Sequence, residues 1–193
     1  MILHHYNTSQ FISEPSVITV GSFDGVHMGH QALLRQMNDY AQKNHCKSVV
    51  VTFNPHPQEV LQAKPDFFLI NTFEQKIVLF DKLDIDTVFV IPFTKELSQT
   101  TAGDFFDEYI FSKINVRAIF MGPNHHFGKQ REGTAVTLFR ICEEKEIEIL
   151  MAQEFNVNGN TVRSTLIRNY LKQNDFENAE QMMGHSVYLA KKK

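Results

Sequence analysis

Short runs of β-branched and aromatic residues alternate with longer amphipathic segments along most of this chain, and that alternation restricts its fold more than any other feature. The runs at residues 17–23 (VITVGSF), 48–53 (SVVVTF), 87–91, 116–121 and 146–151 are apolar enough to be covered on both faces, as strands of a parallel sheet are. Helical patterns lie between them at about 30–43, 73–83, 102–113 and 135–145. Two further helices are predicted at the end, 164–172 and 175–183, the second with Asp175 as N-cap and Gly184 as C-terminal stop. Right-handed crossovers then build an α/β, Rossmann-like open parallel sheet with helices on both faces. No linker-like stretch divides the 193 residues, a length that suits one domain.

Composition narrows the partners. The chain is 42% hydrophobic and 21% charged with a net charge of −3, a balance that argues against a phosphate backbone, and hence nucleic acid, as the main partner. Cys46 and Cys142 stand far apart in the sequence, which makes a disulfide framework or a zinc knuckle unlike this chain. The N-terminal residues have neither the basic start nor the sustained apolar core of a signal peptide, and no apolar run reaches about 18 residues. A cytoplasmic protein without membrane attachment is expected.

In an open parallel sheet, ligands bind beyond the carboxyl ends of the strands. Three of the loops expected there are chemically unusual, GSFDGVHMGH (21–30), FNPHP (53–57) and MGPNHHFGKQREG (121–133), and so is NGNTVRSTLIR (158–168) just before the last helix pair. The first loop is neither a dinucleotide fingerprint nor a Walker loop. Gly21 and Gly25 let the backbone turn tightly, and His27 and His30, three apart at a helix start, can project to one side. Imidazoles there would stand beside the unpaired N–H groups and positive end of the helix, a natural place for phosphate. A zinc pair lacking its third ligand, or two surface histidines, is the plainer reading of the same residues. Likewise Ser164 and Thr165 alone suit a helix cap, and FNPHP alone suits a proline-stiffened turn whose phenylalanine enters the core.

His27, Met28, Gly29 and His30 resemble the HxGH signature of the nucleotidyltransferase superfamily, and RSTLIR, Arg163 to Arg168, resembles its second half. In order along the chain, GSFDGVHMGH, TFNPHPQEVL, FEQK, IPFTKELS, FGKQREG, STLIR and NDFENAEQMMGHSVYL resemble the adenylyltransferase half of bacterial bifunctional riboflavin kinase/FAD synthetases. The resemblance implies an FMN adenylyltransferase domain over 1–185 and a tail at 186–193. The riboflavin kinase half would begin after GHSVY, so the sequence is that of a single-function protein or an excised domain. The implied substrates are ATP, with Mg2+, and FMN, giving FAD and pyrophosphate. A related nucleotidyltransferase with another phosphorylated acceptor, or a weakly catalytic flavin-nucleotide sensor, are the alternatives.

Such a reaction needs no covalent nucleophile: two anions must be aligned and charge stabilised at the α-phosphate and leaving group. On the resemblance, His27 and His30 serve the phosphoryl oxygens, Ser164, Thr165 and the helix start grip the β- and γ-phosphates, and Arg168 adds permanent charge. Gly21, Ser22, Phe23, Asp24, Gly25 and Arg163 would lie near ATP. Asp24 either holds the glycine turn through backbone N–H groups or contacts magnesium directly. No protein metal site is otherwise implied. Phe53, Asn54, Pro55 and Pro57, with Asn124, Phe127 and Gly128, would line the flavin site. Two residues depart from the family pattern: His125, where an aromatic hydrocarbon is usual, and Arg163, where serine is usual.

Overall fold

A computed structural model of the chain describes residues 1–6, 11–62, 65–122, 127–129 and 132–187. Its strands are β1 (Ile2–His5), β2 (Ile12–Val20), β3 (Lys47–Phe53), β4 (Thr87–Ile91), β5 (Ile114–Met121) and β6 (Glu148–Met151), followed by the two-residue strands β7 (Asn156–Val157) and β8 (Asn160–Thr161). The helices are α1 (Met28–Lys43), α2 (Pro57–Leu61), α3 (Phe73–Asp81), α4 (Ala102–Phe105), α5 (Ala135–Glu143), α6 (Ser164–Lys172) and α7 (Phe176–Met183). The six long strands form one sheet in the order β1-β4-β3-β2-β5-β6, every neighbouring pair parallel. The expected parallel α/β fold is therefore present. The chain runs outward from β2 on one side and returns to β5 on the other, so the topological switch lies between β2 and β5.

Strand residues alternate between two cores. Val17, Val50, Val88, Val90, Ala118 and Phe120 face Leu33, Leu34 and Met37 of α1 and Phe80 of α3. Ile18, Val49, Val51, Phe89, Ile119 and Met121 face Ala102 and Phe105 of α4, Phe106, Ile110, and Leu138 and Cys142 of α5. Both faces are thus covered, which is why these strands read as apolar runs rather than as alternating ones. A third cluster, Ile70, Val162, Ile167, Leu171, Ala179, Met182 and Met183, seats the α6–α7 pair beside the carboxyl edge.

Several boundaries differ from the sequence expectation. The strand expected at 17–23 starts at Ile12 and ends at Val20, because Phe23 takes a left-handed φ of 49° that no strand accommodates. The helix expected at 102–113 is α4 continued as a π-helical turn, Phe106–Phe111. Edge strand β1 and the β7–β8 hairpin were not expected. The hairpin turns on Asn158 and Gly159 at φ 51° and 77°, the left-handed pair that two-residue hairpins require.

Candidate active site

The loop after β2 is held in an unusual backbone path. Phe23, Gly25 and Val26 have φ of 49°, 87° and 35°, and a β-branched residue in that region is a true outlier. Packing holds it there: Val26 is fully buried, and the Phe23 ring meets Phe80 edge-on at 5.7 Å and His30 at 5.1 Å. At Gly25 a side chain would meet both the positive φ and Ile70, 3.2 Å from where its Cβ would stand.

His27 caps α1. Its Nδ1 accepts the His30 backbone N–H at 3.3 Å, which leaves Nε2 as the nitrogen that carries the proton of a neutral ring. The His30 ring stacks on it, centroids 3.6 Å apart, and His30 Nδ1 is buried without a partner. Burial, with the charges of Arg168 and His185, pushes His27 down to about 4. Burial and the neighbouring His27 and Lys76 push His30 well below its ordinary value. Two neutral imidazoles therefore stand at the N-terminus of α1, able to donate N–H groups to an anion without titrating near pH 7.

Asp24 joins this turn to the far end of the domain. Its carboxylate accepts from the backbone N–H groups of Ile70 (3.1 and 3.3 Å) and Asn71 (3.4 Å) and pairs closely with Nη2 of Arg168. The hydroxyl of Ser164, first residue of α6, donates to the Asp24 carbonyl at 2.9 Å. Arg168 also donates from Nε to Phe68 O at 2.9 Å and lies over the Phe67 ring, 4.6 Å from its centroid. Burial raises the Asp24 carboxyl, while Arg168, the two N–H groups and Lys76 pull it the other way. This donor set is that of a structural carboxylate. The N–H groups belong to residues 70 and 71 rather than to the glycine turn itself.

The HMGH turn and the STLIR helix, opposite ends of the sequence, are thus stitched into one site. Three more contacts close it: Gln31 Nε2 donates to Val26 O and to Met183 O, and His185 Nε2 lies 2.9 Å from Gly25 O. Thr165 is exposed at the first turn of α6. Arg163 occupies the N-cap position without a side-chain cap, is 59% exposed and lies 4.0 Å from Glu154.

The FNPHP residues lie at the carboxyl end of β3. The half-buried Phe53 ring meets Phe93 at 5.6 Å and Phe105 at 6.2 Å, while Asn54 and Pro55 are exposed. Pro57 is the first residue of α2, capped by His56, whose ring stacks on Phe67 at 4.9 Å. Burial, together with Arg168 and Lys76, pushes His56 down to about 3. Phe127 is buried edge-on against Phe106 at 5.2 Å, and Gly128, at φ 72°, passes so close to α4 that a Cβ would lie 3.1 Å from the Ala102 backbone. Phe127 therefore backs the aromatic wall from within the core. Asn124 and His125 fall outside the described residues.

Sequence reasoning passed over Lys76, Phe67 and His185. Lys76 had a signal: with Phe73 and Phe80 it stands at the spacing of the buried face of α3.

These features define a class before any comparison is made: a parallel α/β domain with paired histidines at one helix start and a Ser-Thr-(x)2-Arg helix start beside them. The chain belongs to the FAD synthetase family, whose model matches residues 9–166. It is 29% identical over 185 residues to the bifunctional riboflavin kinase/FMN adenylyltransferase of Listeria monocytogenes, covering 95% of this chain and 58% of that one. To the protein of the same description from Escherichia coli K12 it is 28% identical over 180 residues, covering 93% and 58%. The chain thus spans little more than half the length of these curated relatives. The crystal structure of a macrolide-efflux protein from Streptococcus pneumoniae superposes with a TM-score of 0.85 at 25% identity, over 97% of this chain and 72% of that one. Among the described residues no helix is long and apolar enough to cross a membrane.

Proposed function

We propose that this domain transfers the AMP part of ATP to the phosphate of FMN, giving FAD and pyrophosphate. The observation that carries the reading is the stitch through Asp24, Ser164 and Arg168, which brings the neutral His27 and His30 donors and the start of α6 to one place. An in-line displacement at the α-phosphorus needs preorganised donors where negative charge grows and a separate grip on the leaving group. His27 and His30 fit the first role, with Nε2–H of His27 as a donor of fixed tautomer. The first-turn N–H groups of α6, Thr165 and the exposed Arg163 fit the second. Because Arg168 is already paired with Asp24, its main work is to hold the glycine turn and α6 together.

Mg2+ belongs to the substrate side of this reading. Asp24 is engaged by an arginine and two N–H groups, so the ion enters bound to the triphosphate, as small hard cations commonly do. The aromatic wall of Phe53, Phe93 and Phe105 fits a flat isoalloxazine, with Asn54, Pro55 and Pro57 at its rim and Phe127 and Gly128 behind; Asn124 is assigned to the flavin by the family resemblance. ATP and FMN are intracellular nucleotides, which places the reaction in the cytoplasm.

The test is to incubate the purified chain with ATP, Mg2+ and FMN and separate the flavins by chromatography. FAD should form from FMN and not from riboflavin. Tight binding of both nucleotides with no FAD at any Mg2+ concentration would sink the reading in favour of a flavin-nucleotide sensor.

A further inference from the structure

The FEQK segment has no part in the chemistry proposed above, yet its Lys76 is the one buried lysine among the described residues, 6% exposed. It stands on the apolar face of α3, which places an ammonium where a leucine would ordinarily pack. Such a group needs acceptors, and it has them. Nζ donates to Ser22 O at 3.0 Å, to Thr52 Oγ1 at 3.0 Å and to Phe53 O at 3.5 Å. Three acceptors match the three protons of an ammonium, so Lys76 has no proton left over for a substrate.

The identity of those acceptors matters. Ser22 belongs to the glycine turn after β2, and Phe53 opens the FNPHP loop after β3. Thr52 Oγ1 also donates to Ser22 O at 3.4 Å. One buried ammonium therefore ties the backbone of the proposed triphosphate loop to that of the proposed flavin loop, where their strands lie side by side in the sheet. Burial pushes Lys76 down to about 8, while Asp24 and Glu59 face the charge and favour it; that charge adds, after burial, to the lowering of His30 and His56.

Resting on the adenylyltransferase reading, we propose that Lys76 is a positioning residue that fixes the glycine turn and the FNPHP loop relative to one another, and so sets the approach of the flavin phosphate to the α-phosphorus. Each loop has its own anchors, Asp24 with Arg168 for one and the α2 cap for the other. Removal of Lys76 should leave each substrate's own binding almost intact and disturb their mutual alignment.

The test compares Lys76→Met, Thr52→Val and the double variant with wild type, measuring kcat for FAD formation, the separate Kd values of FMN and ATP, and thermal unfolding. A misplacement of about 1 Å can slow a positioned reaction about 10²-fold. Lys76→Met should accordingly lose roughly 30- to 100-fold in kcat, with each Kd within about 3-fold of wild type. Thr52→Val should show a smaller kcat loss with the same sparing of Kd, and the double variant should fall short of the product of the two losses, since both act through one link. Should Lys76→Met fail to fold, Thr52→Val alone decides: lower kcat with unchanged Kd values supports the role. Unchanged kcat in the folded variants, or losses of kcat and both affinities in parallel, overturns it. A wild type that makes no FAD sinks the adenylyltransferase reading itself, an outcome distinct from variants that match an active wild type.

Discussion

His27 uses its two ring nitrogens differently, Nδ1 to cap α1 and Nε2 to present a proton, and the cap requires the neutral ring. That requirement has consequences for catalysis and for stability. His27→Asn, which can keep the cap, and His30→Ala should each lower kcat by about 10² to 10³, the scale of losing one preorganised donor, while the Kd of ATP changes far less. Near-normal kcat in both would remove the histidines from the mechanism. For stability the sign follows from the depressed value of about 4: the unfolded ring takes up its proton near 6.5, the folded ring much lower, so folding is opposed as pH falls through that window. Between pH 7 and pH 5 His27 alone should remove about 2 kcal/mol of stability, and denaturant unfolding of His27→Asn should show a flatter pH dependence than wild type. The buried Asp24–Arg168 pair acts on another scale. Arg168→Met strands the carboxylate and should cost about 3 to 5 kcal/mol, measurable as a lower unfolding midpoint. The histidines and the RSTLIR segment were legible through the family resemblance, their spacing alone favouring plainer readings; the partners of Asp24 were not, because Ile70 and Asn71 contribute through backbone N–H groups that carry no side-chain signature.

At the level of elements, α6 shows where sequence and structure meet least comfortably. Its N-cap position holds Arg163 at φ −144° and ψ 143°, the backbone of a capping residue with a side chain that forms no cap hydrogen bond. Arg163→Ser should supply that bond. Replacing a non-capping residue there is worth about 1 kcal/mol, or roughly 2 to 4 °C in Tm for a domain of this size; the exposed contact with Glu154 that it removes is worth little. A Tm that falls would show that Arg163 serves the fold after all. The elements themselves divide by how they are buried. Strands β3 and β4, covered on both faces, show as apolar runs, whereas β1 is a short edge strand in which Ile2 and Leu3 remain exposed, and it presents no apolar run to read. The β7–β8 turn did carry its signal in Asn158-Gly159, masked by strands of only two residues each. Within 102–113 helical periodicity was real, but the π-helical turn at Phe106–Phe111 changes which residues turn inward.

Across the whole molecule, the order β1-β4-β3-β2-β5-β6 places the ends of β2, β3 and β5 side by side, so three segments distant in sequence open on one edge. The α6–α7 pair closes over that edge, α6 through Asp24, α7 through Gln31, which bonds both Val26 O and Met183 O, and the residue His185 beyond α7 through Gly25 O. On the proposed adenylyltransferase reading two ligands meet at this edge, one held by the glycine turn and α6 and one by the aromatic wall. The measurement that tests this most directly follows the phosphorus atoms. Given FMN and Mg2+ with ATP labelled in parallel at the α- or the γ-phosphorus, the α label should appear in FAD and the γ label in pyrophosphate. A γ label carried onto flavin, or FAD free of the α label, would contradict the account.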